Sequence, residues 1–144
     1  MQSHHSSKNI DETWAVASDL IKKTDHHIFF LYGDLGSGKT TFTQGIGKAV
    51  GISHHLQSPT FIIMRSYELN DSRWSMLYHV DLYRIESIHE IEELGVIDLM
   101  SDPKNLFVIE WPEKLAPFFP PKRTDIHFTY QDENVREIEI KEII

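Results

Sequence analysis

The chain has 144 residues, 40% of them hydrophobic, with 7 glycines and 6 prolines, which predicts one globular domain over residues 1–144. Cysteine is absent, which excludes disulfides and thiolate metal sites, and the formal charge of -8 without a basic cluster argues against direct gripping of nucleic acid. Neither a secretion signal nor a run near the roughly 18 apolar residues of a membrane span is present, so we expect a cytoplasmic protein.

The N-terminal third predicts a helix, a buried strand and a second helix. Residues 1–8 are expected to form a disordered tail. The stretch DETWAVASDLIKK carries apolar residues at helical spacing, with Asp11 as a candidate N-cap. The run HIFFLY is typical of a strand buried on both faces. After it, KTTFTQGIGKAVG reads as a helix closed by Gly51, in which Gly45 and Gly47 indicate close packing rather than helix propensity.

The rest of the chain alternates β-rich and helical segments. TFIIMRSYEL and SMLYHVDLYR predict an antiparallel hairpin, and SIHEIEELGVIDLM is helical in spacing. NLFVIEWPEKL predicts a buried strand, whereas TDIHFTY and VREIEIKEII alternate as the strands of a surface hairpin do. No internal repeat or long linker divides the chain.

The most specific signal is Gly33-x-x-x-x-Gly38-Lys39-Thr40, which matches the phosphate-binding loop and lies between a predicted strand and a predicted helix. Glycines let backbone N–H groups curl around a phosphate, and the helix N-terminus adds about half a positive charge. Lys39 can reach the β- and γ-phosphates, and Thr40 can offer a hydroxyl to magnesium. The motif therefore predicts a magnesium-bound nucleotide.

Phosphoryl chemistry also needs a carboxylate for the metal and a group that orients water. Asp81 and Glu110 each end an apolar run, where an unpaired carboxylate is costly to bury. Their alternatives are a strand-end pair of Asp81 with Arg84, and a capping or turn role for Glu110. Thr60, in SPTF, is a candidate sensor of the γ-phosphate, the alternative being a turn threonine before a strand.

Two further residue types were weighed for the site. Trp111 could bring an indole near the nucleotide, although its residue type favours a core position. The chain's 9 histidines include adjacent pairs, but neighbours in sequence do not share a helix or strand face. The pairs therefore do not predict a zinc site.

Five motifs in order, GDLGSGKTT, SPTF, HVDLYR, ELG and IEWPEKL, resemble the bacterial TsaE (YjeE) family, the small ATPases of tRNA threonylcarbamoyladenosine biosynthesis. The match runs from about Asp11 to Leu115. The resemblance implies a single-domain α/β P-loop NTPase fold with three layers and a mixed sheet that includes antiparallel hairpins. It also implies that the ATPase supports TsaD and TsaB as they modify the adenosine beside the tRNA anticodon.

Carried over by position, the resemblance assigns the ATP phosphates to the phosphate-binding loop: Gly33, Gly36, Ser37, Gly38, Lys39, Thr40 and Thr41. It implies that Thr40 and Glu110 hold magnesium and that Asp81 assists metal and water, with Lys39 and Thr60 completing the catalytic set. Thr13 matches a threonine near the adenine, and Arg136 is a further candidate for nucleotide contact. Ser37, where many members carry alanine, departs slightly from the pattern.

Other classes of nucleotide-binding protein remain as alternatives. A small-molecule P-loop kinase usually needs an arginine-bearing lid, whereas the arginines here are scattered singly. A GTPase is disfavoured because a guanine-reading Asn-Lys-x-Asp stretch is missing. A non-catalytic nucleotide-dependent binding module differs from an ATPase only in whether Asp81 and Glu110 support turnover.

Overall fold

The structure is a computed structural model that describes residues 2–53, 56, 59 and 63–144. Seven strands, four α-helices and a short 3₁₀ helix follow one another along these residues: β1 Gln2–Ser7, α1 Ile10–Lys23, β2 Ile28–Tyr32, α2 Lys39–Ala49, β3 Met64–Glu68, β4 Met76–Asp81, α3 Ile88–Glu93, α4 Val96–Met100, β5 Asn105–Glu110, the 3₁₀ helix Pro112–Leu115, β6 Arg123–Tyr130 and β7 Arg136–Ile143. The predicted α/β fold is confirmed.

All the strands join one mixed sheet in the order β1-β7-β6-β2-β5-β4-β3. The central strand β2 pairs in parallel with β5 and β6, and β5 pairs in parallel with β4. The outer pairs β3 with β4, β6 with β7 and β1 with β7 are antiparallel. Every residue of β5 is buried, as expected for a parallel strand covered on both faces.

Helices cover the sheet on two sides, which gives the three predicted layers. The first apolar core lies between the sheet and the pair α1 and α2, and it includes Phe29, Phe42 and Ile126. The second lies between the opposite face and α3, α4 and the 3₁₀ helix, and it includes Phe30 and Phe107. Alternate residues of β2 thus enter opposite cores.

The glycines of α2 permit the close helix contact that the sequence predicted. A Cβ at Gly45 would lie 2.9 Å from the Cβ of Ala17 and 3.0 Å from Trp14 Cδ1, both on α1. A Cβ at Gly47 would lie 2.7 Å from Leu56 Cδ1. The contacts at 2.9 and 2.7 Å are too short for a real Cβ atom, so the two glycines let α2 pack closely against its neighbours.

The expected disordered tail over residues 1–8 is wrong for most of its length. Gln2–Ser7 forms β1, which pairs along β7 from Gln2 opposite Lys141 to Ser7 opposite Arg136. The strand escaped prediction because its residues are all polar and show no apolar alternation. Its backbone hydrogen bonds to β7, rather than burial of side chains, place it in the sheet.

Three local predictions also need correction. Asn9, not Asp11, caps α1, and its Oδ1 accepts the backbone N–H of Glu12 at 2.8 Å. The predicted helix over 87–100 is two short helices, because Gly95 adopts a left-handed φ of 73° between them. The C-terminal hairpin is not confined to the surface, since β6 lies inside the sheet beside β2 and buries Ile126 and Phe128.

Candidate nucleotide-binding site

The phosphate-binding motif forms a loop from the end of β2 to the start of α2. Gly36 and Gly38 have left-handed φ values of 78° and 111°, which glycine adopts without the steric cost that other residues incur. Gly38 is the N-cap of α2 and provides no side-chain hydrogen bond to the first turn. The N–H groups of that turn are therefore left for an anion, as expected of a phosphate site.

Lys39 is the first residue of α2, directly after this loop, and only 4% of its surface is exposed. Its Nζ donates to the carbonyl oxygen of Gly33 at 2.6 Å and lies 4.3 Å from the ring centroid of Trp111. Burial lowers the pKa of Lys39, while the charges of Glu110 and Asp81 oppose that shift. A buried ammonium that shares a cleft with two carboxylates is suited to binding a polyanion together with a cation.

The two predicted carboxylates meet at the same edge of the sheet. Asp81 ends β4, Glu110 ends β5, and the two residues are opposite one another in the parallel register. They are 6% and 4% exposed, respectively. The Oδ1 atom of Asp81 accepts the backbone N–H of Tyr83 at 3.0 Å. Glu110 neither caps a helix nor lies in a turn, because it is the last residue of a buried strand.

A cleft of about 390 Å³ joins these elements. Its lining includes most of the predicted site: Thr13, Gly36, Gly38, Lys39, Thr40, Thr41, Asp81, Glu110 and Arg136. Gly33 and Ser37 belong to the same loop but line a separate depression behind it. Thr60 lies outside the described residues, so its role as a γ-phosphate sensor stays a prediction.

Thr13 and Arg136 both line the cleft, and Ser7 lies between them because it contacts Thr13 and is the β1 residue paired with Arg136. Thr13 Oγ1 is 2.6 Å from the Oγ atom of Ser7, and both hydroxyls are buried. Arg136 packs its guanidinium 4.0 Å from the ring centroid of Tyr130 and donates from Nη1 to the carbonyl oxygen of Glu133 at 3.2 Å. Both predicted residues are thus within the cleft, each already held by a neighbour.

Magnesium is the cation that the predicted chemistry implies, and the side chains fit it. Thr40, Asp81 and Glu110 all line the cleft, and they offer the hydroxyl and carboxylate oxygens that this hard cation prefers. Lys39 lines the same cleft, where burial lowers its pKa and the charges of both carboxylates act to raise it. The cleft therefore combines a cation for phosphate with oxygen ligands suited to magnesium.

Sequence reasoning missed several residues of the site. Trp111, already considered from the sequence, lines the cleft and also packs, partly buried, against the second core, so it combines the two positions that were predicted for it. His79 contacts Glu110, and its position two residues before Asp81 on a strand could have placed it on the same face. Asn9 and Asn134 also line the cleft. No sequence pattern indicated these two residues, because Asn9 follows the unpredicted strand β1 and Asn134 lies in the turn between β6 and β7.

Comparison with known proteins identifies relatives that span nearly the whole chain. The profile of the family described as "Threonylcarbamoyl adenosine biosynthesis protein TsaE" matches residues 7–138. The tRNA threonylcarbamoyladenosine biosynthesis protein TsaE of Bacillus subtilis is 37% identical over 133 residues, which cover 90% of this chain and 79% of that protein. The protein of the same name from Rickettsia typhi is 34% identical over 142 residues, covering 98% and 92%.

A solved structure agrees with these sequence relatives. The crystal structure of YdiB from Bacillus subtilis superposes with a TM-score of 0.77 and 26% identity, and the match covers 100% of this chain and 87% of that one. Within the described residues, no helix is both long and apolar enough to cross a membrane. The fold, the phosphate-binding loop and the extended sequence match together establish that this chain belongs to the TsaE family of tRNA threonylcarbamoyladenosine biosynthesis proteins.

Proposed function

We propose that the chain is a magnesium-dependent ATPase that binds and slowly hydrolyses ATP to support a TsaD-TsaB complex. The reaction it supports is the threonylcarbamoyl modification of the tRNA adenosine next to the anticodon, in the cytoplasm. One observation carries the ATPase proposal: the buried Lys39, at the end of a glycine loop, lines the same cleft as Asp81 and Glu110.

Each group has a distinct task in this proposal. The N–H groups of the loop and the first turn of α2 bind the phosphates, and Lys39 adds a cation at the β- and γ-phosphates. Thr40 and Glu110 would hold magnesium, which would supply positive charge to the phosphate oxygens. Asp81 assists at the metal and orients the attacking water, and Thr60 senses whether the γ-phosphate is present.

The remaining cleft residues serve the nucleoside part of ATP. Thr13 lies at the start of α1 and Arg136 at the start of β7, and both line the cleft beyond the loop. Arg136 is held against Tyr130 and the carbonyl of Glu133, which limits its freedom before ATP binds. A partly ordered contact of this kind lowers the entropy lost on binding.

Dependence on protein partners follows from charge and size. The chain carries 14 basic against 22 acidic residues, so it is poorly suited to gripping tRNA directly. Among the residues that the structure describes, Arg136 is the one arginine lining the cleft, whereas a kinase lid brings several. We therefore expect slow hydrolysis by the chain alone and faster turnover when TsaD and TsaB restrict the site.

The test is ATP turnover by the purified chain alone, then with TsaD and TsaB, and then with tRNA added. Binding to the TsaD-TsaB pair is measured by calorimetry in ATP, ADP and nucleotide-free buffer. We expect turnover to rise with the partners and their affinity to depend on the nucleotide. Rapid phosphorylation of a small molecule by the chain alone would favour a kinase instead. Nucleotide-dependent partner binding without turnover would favour a non-catalytic module.

A further inference from the structure

His79 makes a short buried contact that the proposed chemistry does not yet use. Its Nε2 atom lies 2.6 Å from Oε2 of Glu110, and the two side chains are 1% and 6% exposed. His79 is on β4, two residues before Asp81, and therefore points to the same face of the sheet as that carboxylate. One strand thus delivers Asp81 to the cleft and His79 to the side chain of Glu110.

The chemistry of the pair fixes the direction of the hydrogen bond. An ionised carboxylate can only accept, so the Nε2 atom of His79 carries the proton and donates it. The other ring nitrogen, Nδ1, is buried and has no hydrogen-bond partner among the described residues. Within the described residues, the hydrogen bond to Glu110 is therefore the one that the ring of His79 makes.

The histidine pairs a buried carboxylate but leaves one of its own polar atoms unpaired among the described residues. Buried polar groups are normally paired, and leaving one unpaired costs about 1–3 kcal/mol. An apolar residue at this position would avoid the unpaired Nδ1, but it would leave the buried Oε2 of Glu110 without the donor that His79 provides. The contact with Glu110 is what a histidine supplies here and an apolar side chain cannot.

We propose that His79 is a positioning residue that holds the Glu110 carboxylate in the orientation needed at the nucleotide. With Oε2 held by the ring, Oε1 is the oxygen left to serve the cleft. A free glutamate side chain loses considerable rotamer entropy when it is fixed. Because the hydrogen bond to His79 already restricts Glu110, less entropy is lost when the ligand binds. This inference rests on the proposed ATPase function, since it assigns Glu110 its orientation for that chemistry.

The test uses three substitutions that differ in where they place a donor. His79→Gln carries an N–H group at about the reach of Nε2, His79→Asn carries one only at the reach of Nδ1, and His79→Leu carries none. Two quantities are measured: ATP turnover, and the affinity for ADP in magnesium and in EDTA. The ratio of the two affinities reports the magnesium-linked gain without requiring catalysis.

We expect His79→Leu and His79→Asn to lower turnover by about 10–100-fold, the range typical of lost second-layer hydrogen bonds at metal sites. Both should reduce the magnesium-linked gain in ADP affinity and leave the affinity in EDTA near that of the wild type. His79→Gln should restore most of both quantities. In a Glu110→Gln background, His79→Leu should add little, because the two residues act as one unit.

His26 provides the matched control, because it is a second buried histidine whose ring contacts Thr124 rather than the cleft. His26→Leu should lower stability but leave turnover and the magnesium-linked gain unchanged. If His79→Gln behaves no better than His79→Asn, or if a folded His79→Leu keeps wild-type values, the positioning role is wrong. A wild-type chain that neither binds nor hydrolyses ATP, even with TsaD and TsaB, would instead overturn the proposed function itself.

Discussion

Polar side chains are buried at both ends of the parallel strands, but the two ends differ in how those side chains are hydrogen-bonded. At the N-terminal end, His26 Nδ1 lies 2.9 Å from Thr124 Oγ1, and His27 Nδ1 lies 2.9 Å from the carbonyl oxygen of Asn105. The amide of Asn105 in turn donates to the carbonyl oxygen of Leu99 at 3.0 Å. At this end, these polar groups are therefore hydrogen-bonded to other groups of the protein.

The C-terminal end gathers charges and leaves groups unpaired. Lys39, Asp81 and Glu110 line one cleft there, and the buried Ser37 Oγ and His79 Nδ1 lack hydrogen-bond partners among the described residues. A fold satisfies buried polar groups where they serve stability alone. Unpaired and like-charged groups concentrated at one end therefore mark the end that is organised for a ligand.

The difference between the two ends of the strands predicts that substitution of Lys39 has the largest effect on ATP binding and turnover. Lys39→Ala should lower ATP affinity and turnover by at least about 100-fold, because it removes the buried cation that faces the phosphates. The fold should persist, since the loop is built mainly from backbone. Nucleotide titration and thermal unfolding check both expectations. Lys48→Ala is the control, because Lys48 lies on the same helix but packs on the ring of Trp14.

Unchanged ATP affinity in a folded Lys39→Ala variant would remove the loop from the mechanism and erase the difference between the two ends.

The acids should show a smaller and more selective effect. Glu110→Gln and Asp81→Asn keep the shape and one acceptor oxygen of each side chain but replace the other oxygen by an NH2 donor and remove the charge. Turnover should therefore fall by about 10–100-fold while ATP affinity changes less. Steady-state kinetics and calorimetry on the same samples separate the two quantities. Asp98→Asn, on the exposed side of α4, serves as a control. Wild-type turnover in both variants would return these acids to structural roles.

At the opposite end, substitutions should change stability and not function. Asn105→Ala removes one of the two hydrogen bonds to the carbonyl oxygen of Leu99, which also accepts the backbone N–H of Asp102 at 3.3 Å. The free energy of unfolding should therefore fall by about 0.5–1.5 kcal/mol, the range typical of one intramolecular hydrogen bond. Chemical denaturation measures the loss, and turnover at a temperature well below unfolding should equal that of the wild type. A selective loss of turnover there would show that the two ends are coupled.

The smallest effect is expected at Ser37. Ser37→Ala removes a buried hydroxyl that has no partner among the described residues, so stability should stay the same or rise by up to about 1 kcal/mol. ATP affinity should be unchanged if the loop binds phosphate through its backbone. A clear fall in affinity would instead mean that the hydroxyl meets the ligand, and Ser37 would then resemble the other unpaired groups at this end.

Much of the site followed from local pattern. The spacing of Gly33, Gly38 and Lys39 predicted the loop, and the apolar runs ending at Asp81 and Glu110 predicted strands that deliver acids. The residues that escaped prediction reach the cleft by a different route. Asn9 follows a strand whose side chains are all polar, and Asn134 lies in a turn whose sequence does not say where it will fold.

The sequence by itself determined the elements whose hydrophobic period or glycine spacing is strong: β2 and its loop, α2, and the buried strands β4 and β5. It also determined which residues carry charge at the ends of those strands. Only the tertiary structure decided that β6 joins β2 inside the sheet, that β1 extends the sheet beyond β7, and that His79 meets Glu110. The physical reason is that the hydrophobic pattern of a segment shows which face each residue occupies. The partners of that residue depend instead on strand order and register, and these are set by contacts between residues far apart in the chain.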